Sequence, residues 1–408
     1  MKKIFPILIL GMVLLCGLEP GHFLTNMTDT AVHASMATPA NFTIIALPDT
    51  QYYALFYPAI FMNQTQWIVS HKDALNIVYV TGEGDITEFG TQDIEWQRAD
   101  AVYSLLEDPI TTHLPYGIPY AIPPGNHDQP TTLFNQYFGV SRFTGRDYYG
   151  SHYSTTNNNH YVLFNASGMS FIAIALDYNP STAVLNWADG LLQTYSNRRA
   201  IVVEHCILNV DASWDGNGQT IYDMLKDNPN LFLMLCGHNH GENRRTETYN
   251  GHTINILLAD YQNRLNGGNG YLRIMTFYPA TNLIKVKTYS PYVNHYETDA
   301  NSQFNLIYNM TPSPLTIESI TNGLGINAVI KNTGTVDAKN VSWKIQLDGG
   351  VIFVGKSKTG TVDIAAGGTA TIKDSVFGFG KTTITVTVGD VEKTATGTVL
   401  LILVFNVA

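Results

Sequence analysis

Five short segments in the first two thirds of the chain combine carboxylate, amide and imidazole side chains. They are Asp49-Thr50-Gln51, Gly84-Asp85, Gly125-Asn126-His127-Asp128, Glu204-His205 and Gly237-His238-Asn239-His240. Oxygen and imidazole nitrogen together suit borderline divalent ions such as Zn, Mn, Fe or Co. The glycines let the backbone turn sharply while neighbouring side chains point into a common site. A single Gly-Asp pair would mean little, but the ordered set of five predicts a metal centre.

Each of these segments follows an apolar run rich in β-branched residues, which is typical of a strand buried on both faces. The runs cover residues 42–47, 77–80, 118–122, 201–203 and 231–235. Helical patterns lie between them, at residues 96–106, 183–195 and 219–226. Alternating strands and helices predict an α/β layered domain whose functional loops lie at the carboxyl ends of the strands. We therefore expect the five segments at one edge of one sheet.

The first domain is expected to end soon after an antiparallel hairpin formed by residues 270–278 and 283–289. We assign residues 35–300 to this domain.

The ordered series Asp-x-Gln, Gly-Asp, Gly-Asn-His-Asp, His and Gly-His-x-His resembles the calcineurin-like metallophosphoesterase superfamily. More narrowly, it is similar to the secreted members that begin with Leu-Pro-Asp-Thr-Gln, which is residues 47–51 here. The match covers residues 42–292 and includes these further positions: Trp67-Ile68, Asp260-Tyr261-Gln262, Gly270-Tyr271-Leu272-Arg273 and Tyr289-Ser290-Pro291. The resemblance implies an α/β (α+β) fold of four layers, with two packed mixed sheets flanked by helices.

The resemblance also implies two adjacent metal ions and a role for each matching residue. Asp49, Gln51 and His240 would hold the first ion, Asn126, His205 and His238 the second, and Asp85 would bridge them. A hydroxide shared by both ions would be the nucleophile. His127 would protonate the leaving oxygen or stabilise the transition state, and Asp128 would orient the His127 imidazole.

One position departs from the family pattern, because most of the superfamily has histidine where this chain has Gln51. An amide oxygen coordinates hard ions but is a poorer donor than imidazole. The substitution predicts either a weaker first site or a preference for a harder ion such as Mn or Mg.

Several other residues allow two interpretations. Tyr261, Gln262 and Arg264 could line the substrate pocket or could simply pack. Arg244 and Arg245 could grip a phosphate, but a solvated surface pair is the favoured interpretation. Cys206 and Cys236 are expected to be small buried hydrophobes, with a disulfide as the alternative. His152 and His160 lie in a polar stretch, where we expect them to be exposed to solvent.

From about residue 311 onward the composition changes, and the sequence contains no histidine or cysteine. Short β-type runs separated by Asn-Gly, Gly-Gly and Asn-Thr-Gly turns predict a small immunoglobulin-like β-sandwich over residues 311–408. The stretch 332–338 resembles adhesion-type repeat modules of exported microbial proteins. The apolar run 399–405 predicts a last core strand, and the alternative is an exposed strand that joins protomers.

The amino-terminal residues predict export. Lys2 and Lys3 precede an apolar run over residues 4–18, and small residues near position 34 offer a cleavage site, so we assign residues 1–34 to a signal peptide. A lipoprotein site at Cys16 is the less favoured alternative, because Leu15 is bulky. The mature chain is then expected to lack a transmembrane span and to be secreted or held at the cell surface, either extracellular or periplasmic.

The net charge of -10 argues against a general nucleic-acid binder, although bound cations can make a phosphate-ester site positive locally. We therefore predict an exported hydrolase of phosphate mono- or diesters that uses two divalent ions, drawn from Mn, Zn, Fe, Co and Mg. The alternative is a cell-surface or assembly-forming structural protein that keeps this fold as a scaffold and self-associates through its C-terminal domain.

Overall fold

The computed structural model describes residues 40–310, 314–334, 337–389 and 391–407. The predicted signal peptide, including Cys16, lies outside the described residues. Among the helices that the structure describes, none is long and apolar enough to cross a membrane.

Residues 40–310 form a mixture of helices and strands, which we call the α/β region. Its helices are α1 (Gln51–Leu55), α2 (Pro58–Leu75), α3 (Asp93–Glu107), α4 (Pro109–Thr112), α5 (Thr132–Tyr137), α6 (Val140–Phe143), α7 (Thr182–Thr194), α8 (Gly218–Leu225) and α9 (Leu265–Gly268), with a 3-10 turn at Pro279–Thr281. Its strands are β1 (Phe42–Leu47), β2 (Ile77–Gly82), β3 (Tyr120–Ala121), β4 (Tyr149–His152), β5 (His160–Ala166), β6 (Met169–Leu176), β7 (Arg199–Glu204), β8 (Leu231–Cys236), β9 (Gly241–Tyr249), β10 (His252–Asp260), β11 (Leu272–Tyr278), β12 (Leu283–Ser290), β13 (His295–Tyr296) and β14 (Gln303–Ile307).

These strands form two mixed sheets. The first has the order β13-β12-β11-β1-β2-β3, with β14 also paired to β12, and the second has the order β4-β5-β6-β7-β8-β10-β9. The expectation of one sheet is therefore wrong, because β1, β2 and β3 lie in the first sheet whereas β7 and β8 lie in the second. Alternating strands and helices give the order of the elements but not their pairing. Here the antiparallel β4-β5-β6 meander starts a new sheet.

Aromatic side chains join the two sheets face to face. The ring of Phe171 on β6 lies 5.6 Å from that of Phe42 on β1 and 6.3 Å from that of Phe277 on β11, both edge to face. Such pairs stabilise a packed interior beyond the area that they bury. Helices α7 and α8 cover the other face of the second sheet through a separate apolar cluster. The structure thus has the two mixed sheets with flanking helices that a phosphoesterase fold requires.

Two of the longer helices, α2 and α7, have recognisable residues at their ends. Pro58 occupies the first turn of α2, where proline is tolerated, and Asn76 ends that helix in the left-handed conformation. Ser181 caps α7 by accepting a hydrogen bond from the backbone N–H of Val184. The predicted helices match α3, α7 and α8 to within a few residues. The pattern missed α2 and the strands β4 to β6, and the strand predicted at 118–122 shrinks to β3.

The expectation that His160 is exposed to solvent is wrong. Its side chain is fully buried among the aromatic rings of Phe143 and Tyr149, and its Nδ1 lies 2.8 Å from the carbonyl oxygen of Asn157. Burial lowers the pKa of His160 to about 4, because a charged imidazole would lose its hydration there. The surrounding asparagines form a hydrogen-bonded lining, so polarity of the segment did not signal exposure. His152 is partly exposed.

The remaining residues form an all-β region. Its strands are β15 (Leu315–Thr321), β16 (Gly323–Leu324), β17 (Ile326–Asn332), β18 (Ala338–Asp348), β19 (Val351–Val354), β20 (Ser357–Ile364), β21 (Thr369–Asp374), β22 (Phe377–Val388), β23 (Val391–Leu401) and β24 (Leu403–Phe405). One sheet has the order β15-β17-β21, and the other has β16-β24-β23-β22-β18-β20, with β19 also paired to β22. The strand pairs are antiparallel and enclose a common apolar core. The immunoglobulin-like topology and the domain boundaries stay predictions.

The apolar run 399–405 does not form one core strand. It folds into a tight hairpin, in which the end of β23 pairs with β24. Val399 and Val404 are buried, whereas Leu400 and Leu403 are about half exposed. The run thus contributes one buried face to the core and leaves the other face exposed, and the joining of protomers through it stays a prediction.

Candidate metal centre

The loops that follow β2, β3, β7 and β8 bring together the residues predicted for the second ion. The Nε2 atom of His205 lies 3.0 Å from Asn126 Oδ1, 3.1 Å from Asp85 Oδ2 and 3.2 Å from His238 Nδ1. Two ligands that each lie about 2.1 Å from one ion are about 3.0–3.4 Å apart in octahedral or tetrahedral geometry. Each of these three atoms therefore lies from His205 Nε2 at the distance expected of two ligands of one ion, and donor atoms of Asp85, His205 and His238 all lie within 4.8 Å of one another.

The tautomer of His205 follows from its other nitrogen. His205 Nδ1 lies 2.9 Å from the backbone carbonyl oxygen of Glu83, which can only accept a hydrogen bond. Nδ1 must therefore carry the hydrogen, and the Nε2 lone pair of a neutral ring points at Asn126, Asp85 and His238. A carbonyl that fixes the tautomer in this way is common behind metal-binding histidines.

The residues predicted for the first ion are Asp49, Gln51 and His240. Asp49 and Gln51 are almost completely buried, and Asp49 Oδ1 and Gln51 Oε1 lack hydrogen-bond partners among the described residues. Asp49 Oδ2 accepts a hydrogen bond of 3.0 Å from the backbone N–H of His238, which ties the first set of residues to the second. Buried oxygens without partners are costly unless an ion or water fills the gap, so these atoms fit a cation.

His240 lies at the outer side of this group. Its Nε2 is 2.6 Å from Gln262 Nε2 and 3.7 Å from Asp260 Oδ2. The structure thus places Gln262 at the site, whereas Tyr261 points into the protein and donates its hydroxyl hydrogen to Glu242. Arg264 also faces Glu242 and Glu297.

Two glycines of the motifs are required by close packing against ligands. A Cβ atom on Gly125 would lie 2.1 Å from Asp85 Oδ1, and one on Gly237 would lie 1.9 Å from Asp49 Oδ1. These separations are far below van der Waals contact. From the sequence, we explained these glycines by the sharp backbone turns that they allow. In the structure they are required because a side chain would overlap a carboxylate.

Two predicted ligands have unusual backbone conformations. Asp85 has a φ of 45° and His238 a φ of 69°, in the left-handed region that non-glycine residues rarely adopt. Such residues typically cost about 1–3 kcal/mol and are concentrated at functional sites. Hydrogen bonds offset part of this cost, since the His127 N–H donates to Asp85 Oδ1 over 2.9 Å.

Burial, and after it the charge of neighbouring carboxylates, shifts the pKa values of the first set. Burial raises the pKa of Asp49 well above its usual range, and the charge of Asp260 raises it further. Burial likewise raises the pKa of Asp260 to about 7. At the second set, burial alone would lower the pKa of His205, but the carboxylates of Asp85 and Asp49 outweigh that effect and raise it. A divalent cation would relieve this concentration of negative charge.

Asp128 does not hold the His127 ring. Its carboxylate accepts hydrogen bonds from the backbone N–H groups of Ile86, Thr87 and Gly125, so it fastens the loop after β2 to the loop after β3. The partner of His127 is Glu88, whose backbone oxygen lies 3.0 Å and whose Oε2 lies 3.4 Å from His127 Nδ1. Sequence reasoning missed Glu88. The available signal was an acidic residue three positions after Asp85, in the same loop.

The other open interpretations are resolved by contacts. Cys206 and Cys236 are buried free cysteines. The guanidinium of Arg244 lies over the ring of Phe304, 4.3 Å from its centroid. That of Arg245 lies over Trp214, 4.5 Å from its centroid, and pairs with Glu247. Both arginines therefore pack against neighbouring side chains, which agrees with the favoured interpretation of a surface pair.

Comparison with known proteins gives one relative in sequence and several in fold. The chain is 33% identical over 297 residues to the uncharacterized protein YvnB of Bacillus subtilis. The alignment covers 68% of this chain but 22% of YvnB, so the chain spans about a fifth of the length of that relative. No protein-family model matches the chain.

Solved structures with a similar fold include two phosphoesterases. Purple acid phosphatase PPD1 from yellow lupin (Lupinus luteus) has a TM-score of 0.43 and 13% identity, over 67% of this chain and 55% of the phosphatase. The calcineurin-like phosphoesterase YfkN from Bacillus subtilis has a TM-score of 0.34 and 16% identity, over 66% of this chain and 91% of that protein. Because both TM-scores are below 0.5, we base the function on the geometry of the site.

Proposed function

We propose that this protein is a metal-dependent phosphoesterase that binds two divalent ions and hydrolyses a phosphate mono- or diester. The observation that supports the proposal is the group around His205, whose Nε2 lies 3.0–3.2 Å from donor atoms of Asn126, Asp85 and His238. Asp49, which accepts a hydrogen bond from the backbone N–H of His238, and Gln51 have unpartnered buried oxygens that would supply donors for a second ion. Asp85 is the candidate bridge.

The ions would supply the main electrophilic chemistry. When bound, two divalent ions neutralise phosphate oxygens and lower the pKa of a coordinated water. Asp49, Gln51 and His240 would hold one ion, and Asn126, His205 and His238 the other, with Asp85 shared.

His127 is placed to handle the proton of the leaving group. Its Nδ1 lies next to the carbonyl oxygen of Glu88, so Nδ1 carries a hydrogen and Nε2 is left for the substrate. The Glu88 carboxylate at 3.4 Å can balance a positive charge on the ring. In that form Nε2–H donates a proton to the ester oxygen as its bond to phosphorus breaks. Asp128 contributes indirectly, because it holds the loops that carry Asp85 and Asn126.

The direct test is Asp85→Asn, assayed on p-nitrophenyl phosphate and bis(p-nitrophenyl) phosphate with metal-loaded protein. Losing the bridging charge removes several kcal/mol of transition-state stabilisation, which is a decrease in kcat/KM of about 1000-fold or more. Chelation should abolish activity, and added divalent ions should restore it in the wild type. Asp374→Asn in the all-β region is the matched control and should be unaffected. Metal-loaded wild type that hydrolyses neither ester, or an Asp85→Asn variant with full activity, would refute the proposal.

A second candidate function, assembly, is favoured by one observation. Five exposed apolar residues on neighbouring strands pair with one another in register across the sheet. We call them the apolar row: Val351 on β19, Phe379 on β22, Leu400 on β23, Leu403 on β24 and Leu324 on β16. Exposed apolar surfaces of this kind often mark interaction sites. This candidate does not compete with catalysis, since the row belongs to the all-β region.

A further inference from the structure

Asp260 is a buried acid that lies close to His240. It is the last residue of β10 and pairs in register with Gly241, directly after His240. Its side chain is fully buried, and Oδ1 accepts a hydrogen bond of 2.8 Å from the backbone N–H of Gln262. Oδ2 has no hydrogen-bond partner within the described residues. An ionised carboxylate in this situation requires a cation nearby.

The position of His240 shows where that cation would lie. Asp260 Oδ2 is 3.7 Å from His240 Nε2, which is too far for a hydrogen bond. Two ligands that each lie about 2.1 Å from one ion can be up to about 4.2 Å apart. The separation therefore suits two atoms that bind a common ion better than two atoms that bind each other.

Three more oxygens without partners belong to Asp49 and Gln51, which the sequence assigns to the first ion, and to Gln262, whose Nε2 lies 2.6 Å from His240 Nε2. Each of these residues has less than a tenth of its surface exposed. With Asp260 Oδ2, this gives two carboxylate and two amide oxygens but one imidazole, that of His240. Around His205, by contrast, two imidazole nitrogens accompany two oxygens. Oxygen-rich sets favour hard cations such as Mg²⁺ and Mn²⁺, whereas imidazole favours Zn²⁺.

We propose that Asp260 is a ligand of the first ion and makes that position selective for a hard divalent cation, which the second position is not. This inference rests on the proposed two-ion centre. Asp260 would then compensate for Gln51, because its carboxylate adds a strong donor where the Gln51 amide oxygen is a weaker donor than the usual imidazole. Gln262 lies in the same oxygen set and supports the hard character.

The test counts ions and does not depend on catalysis. Chelated wild type, Asp260→Asn and Asp374→Asn are titrated with Mn²⁺, and bound ions are counted by elemental analysis and by the electron paramagnetic resonance of free Mn²⁺. Asp260→Asn keeps the shape and removes the charge. It should lose about 100-fold or more in Mn²⁺ affinity at one position and retain the other ion. Asp374, also buried with an unpartnered oxygen, is the matched control and should behave as wild type.

A double variant guards against misfolding. Asp260→Asn with Gln262→Glu returns a carboxylate to the same oxygen set and should recover at least 10-fold of the lost Mn²⁺ affinity. Two ions bound by Asp260→Asn with wild-type affinity would overturn the inference, as would a ratio of Mn²⁺ to Zn²⁺ affinity that is no higher at the first position of the wild type than at the second. Failure of the double variant to recover any affinity would also overturn it. A wild type that binds neither metal would instead overturn the proposed function.

Discussion

The α/β and all-β regions both bury apolar cores, but they treat polar side chains differently. In the α/β region, buried oxygens without partners occur in many residues, among them Asp49, Gln51, Asp260 and Gln262. Within the described part of the all-β region, Asp374 Oδ2 is the one buried side-chain atom of this kind. Such atoms destabilise a fold unless something binds them. The α/β region thus carries more buried polar groups that a ligand could satisfy than the all-β region does.

The regions also differ in what they expose. Exposed large hydrophobic residues of the α/β region, such as Phe56 and Ile110, are spread over separate segments, as is normal for a protein surface. In the all-β region the apolar row runs across five neighbouring strands. We therefore propose chemistry for the first region and contact with other molecules for the second, and substitutions can test both proposals.

Among the substitutions that test this comparison, the largest expected effect comes from Gly237→Ala. A Cβ at this position would overlap Asp49 Oδ1, so the carboxylate must move by about 1 Å or more, and displacements of that size cost about 100-fold in rate. We expect kcat/KM to fall by at least that factor and the affinity for one metal ion to fall with it.

Gly190→Ala on α7 is the matched control, because no atom lies within 4 Å of its Cβ position. It should keep activity and raise the free energy of unfolding by about 0.5–1 kcal/mol, since alanine favours a helix over glycine. Unchanged activity and metal content in Gly237→Ala would show that the site tolerates a shift of Asp49, which contradicts the packing argument.

A smaller effect is expected from Glu88→Gln, which removes the carboxylate beside His127 but keeps its backbone oxygen. A proton donor matters most when the leaving group is a poor one. We expect about a 10-fold or greater loss of kcat with an alkyl phosphate ester, but less than about 3-fold with p-nitrophenyl phosphate. Glu392→Gln in the all-β region is the control. Equal losses on both esters would mean that Glu88 acts on folding or metal binding and not through the proton.

The sequence predicted the ligand loops well because each strand end could be recognised locally. Asp85, Asn126 and His205 meet as predicted, since an apolar run precedes each loop and a glycine comes directly before Asp85 and Asn126. The division of the strands into two sheets was not predictable, because the strands β4 to β6 begin a second sheet without changing the local sequence pattern. Asp128 was assigned to the wrong partner for a related reason. Its hydrogen bonds reach backbone groups about 40 residues earlier in the chain, and spacing within one motif carries no information about them.

The smallest effect on catalysis is expected from the apolar row. Phe379→Ser with Leu400→Ser replaces two side chains that face each other across β22 and β23, with 43% and 49% of their surfaces exposed. No candidate ligand lies in the described all-β residues, so kcat/KM should change by less than about 2-fold. The molar mass in solution, measured by light scattering across a range of concentrations, should fall to that of a monomer if wild-type protomers join through the row.

The control is Ile110→Ser in the α/β region, which also replaces an apolar side chain, and one that is more exposed than either residue of the row. It should leave the molar mass unchanged. Because apolar contact contributes roughly 25 cal/mol for each Å² removed from water, two such losses are enough to dissociate a modest interface. A wild type that stays monomeric at every concentration would contradict self-association through this face, while leaving the metal centre untouched.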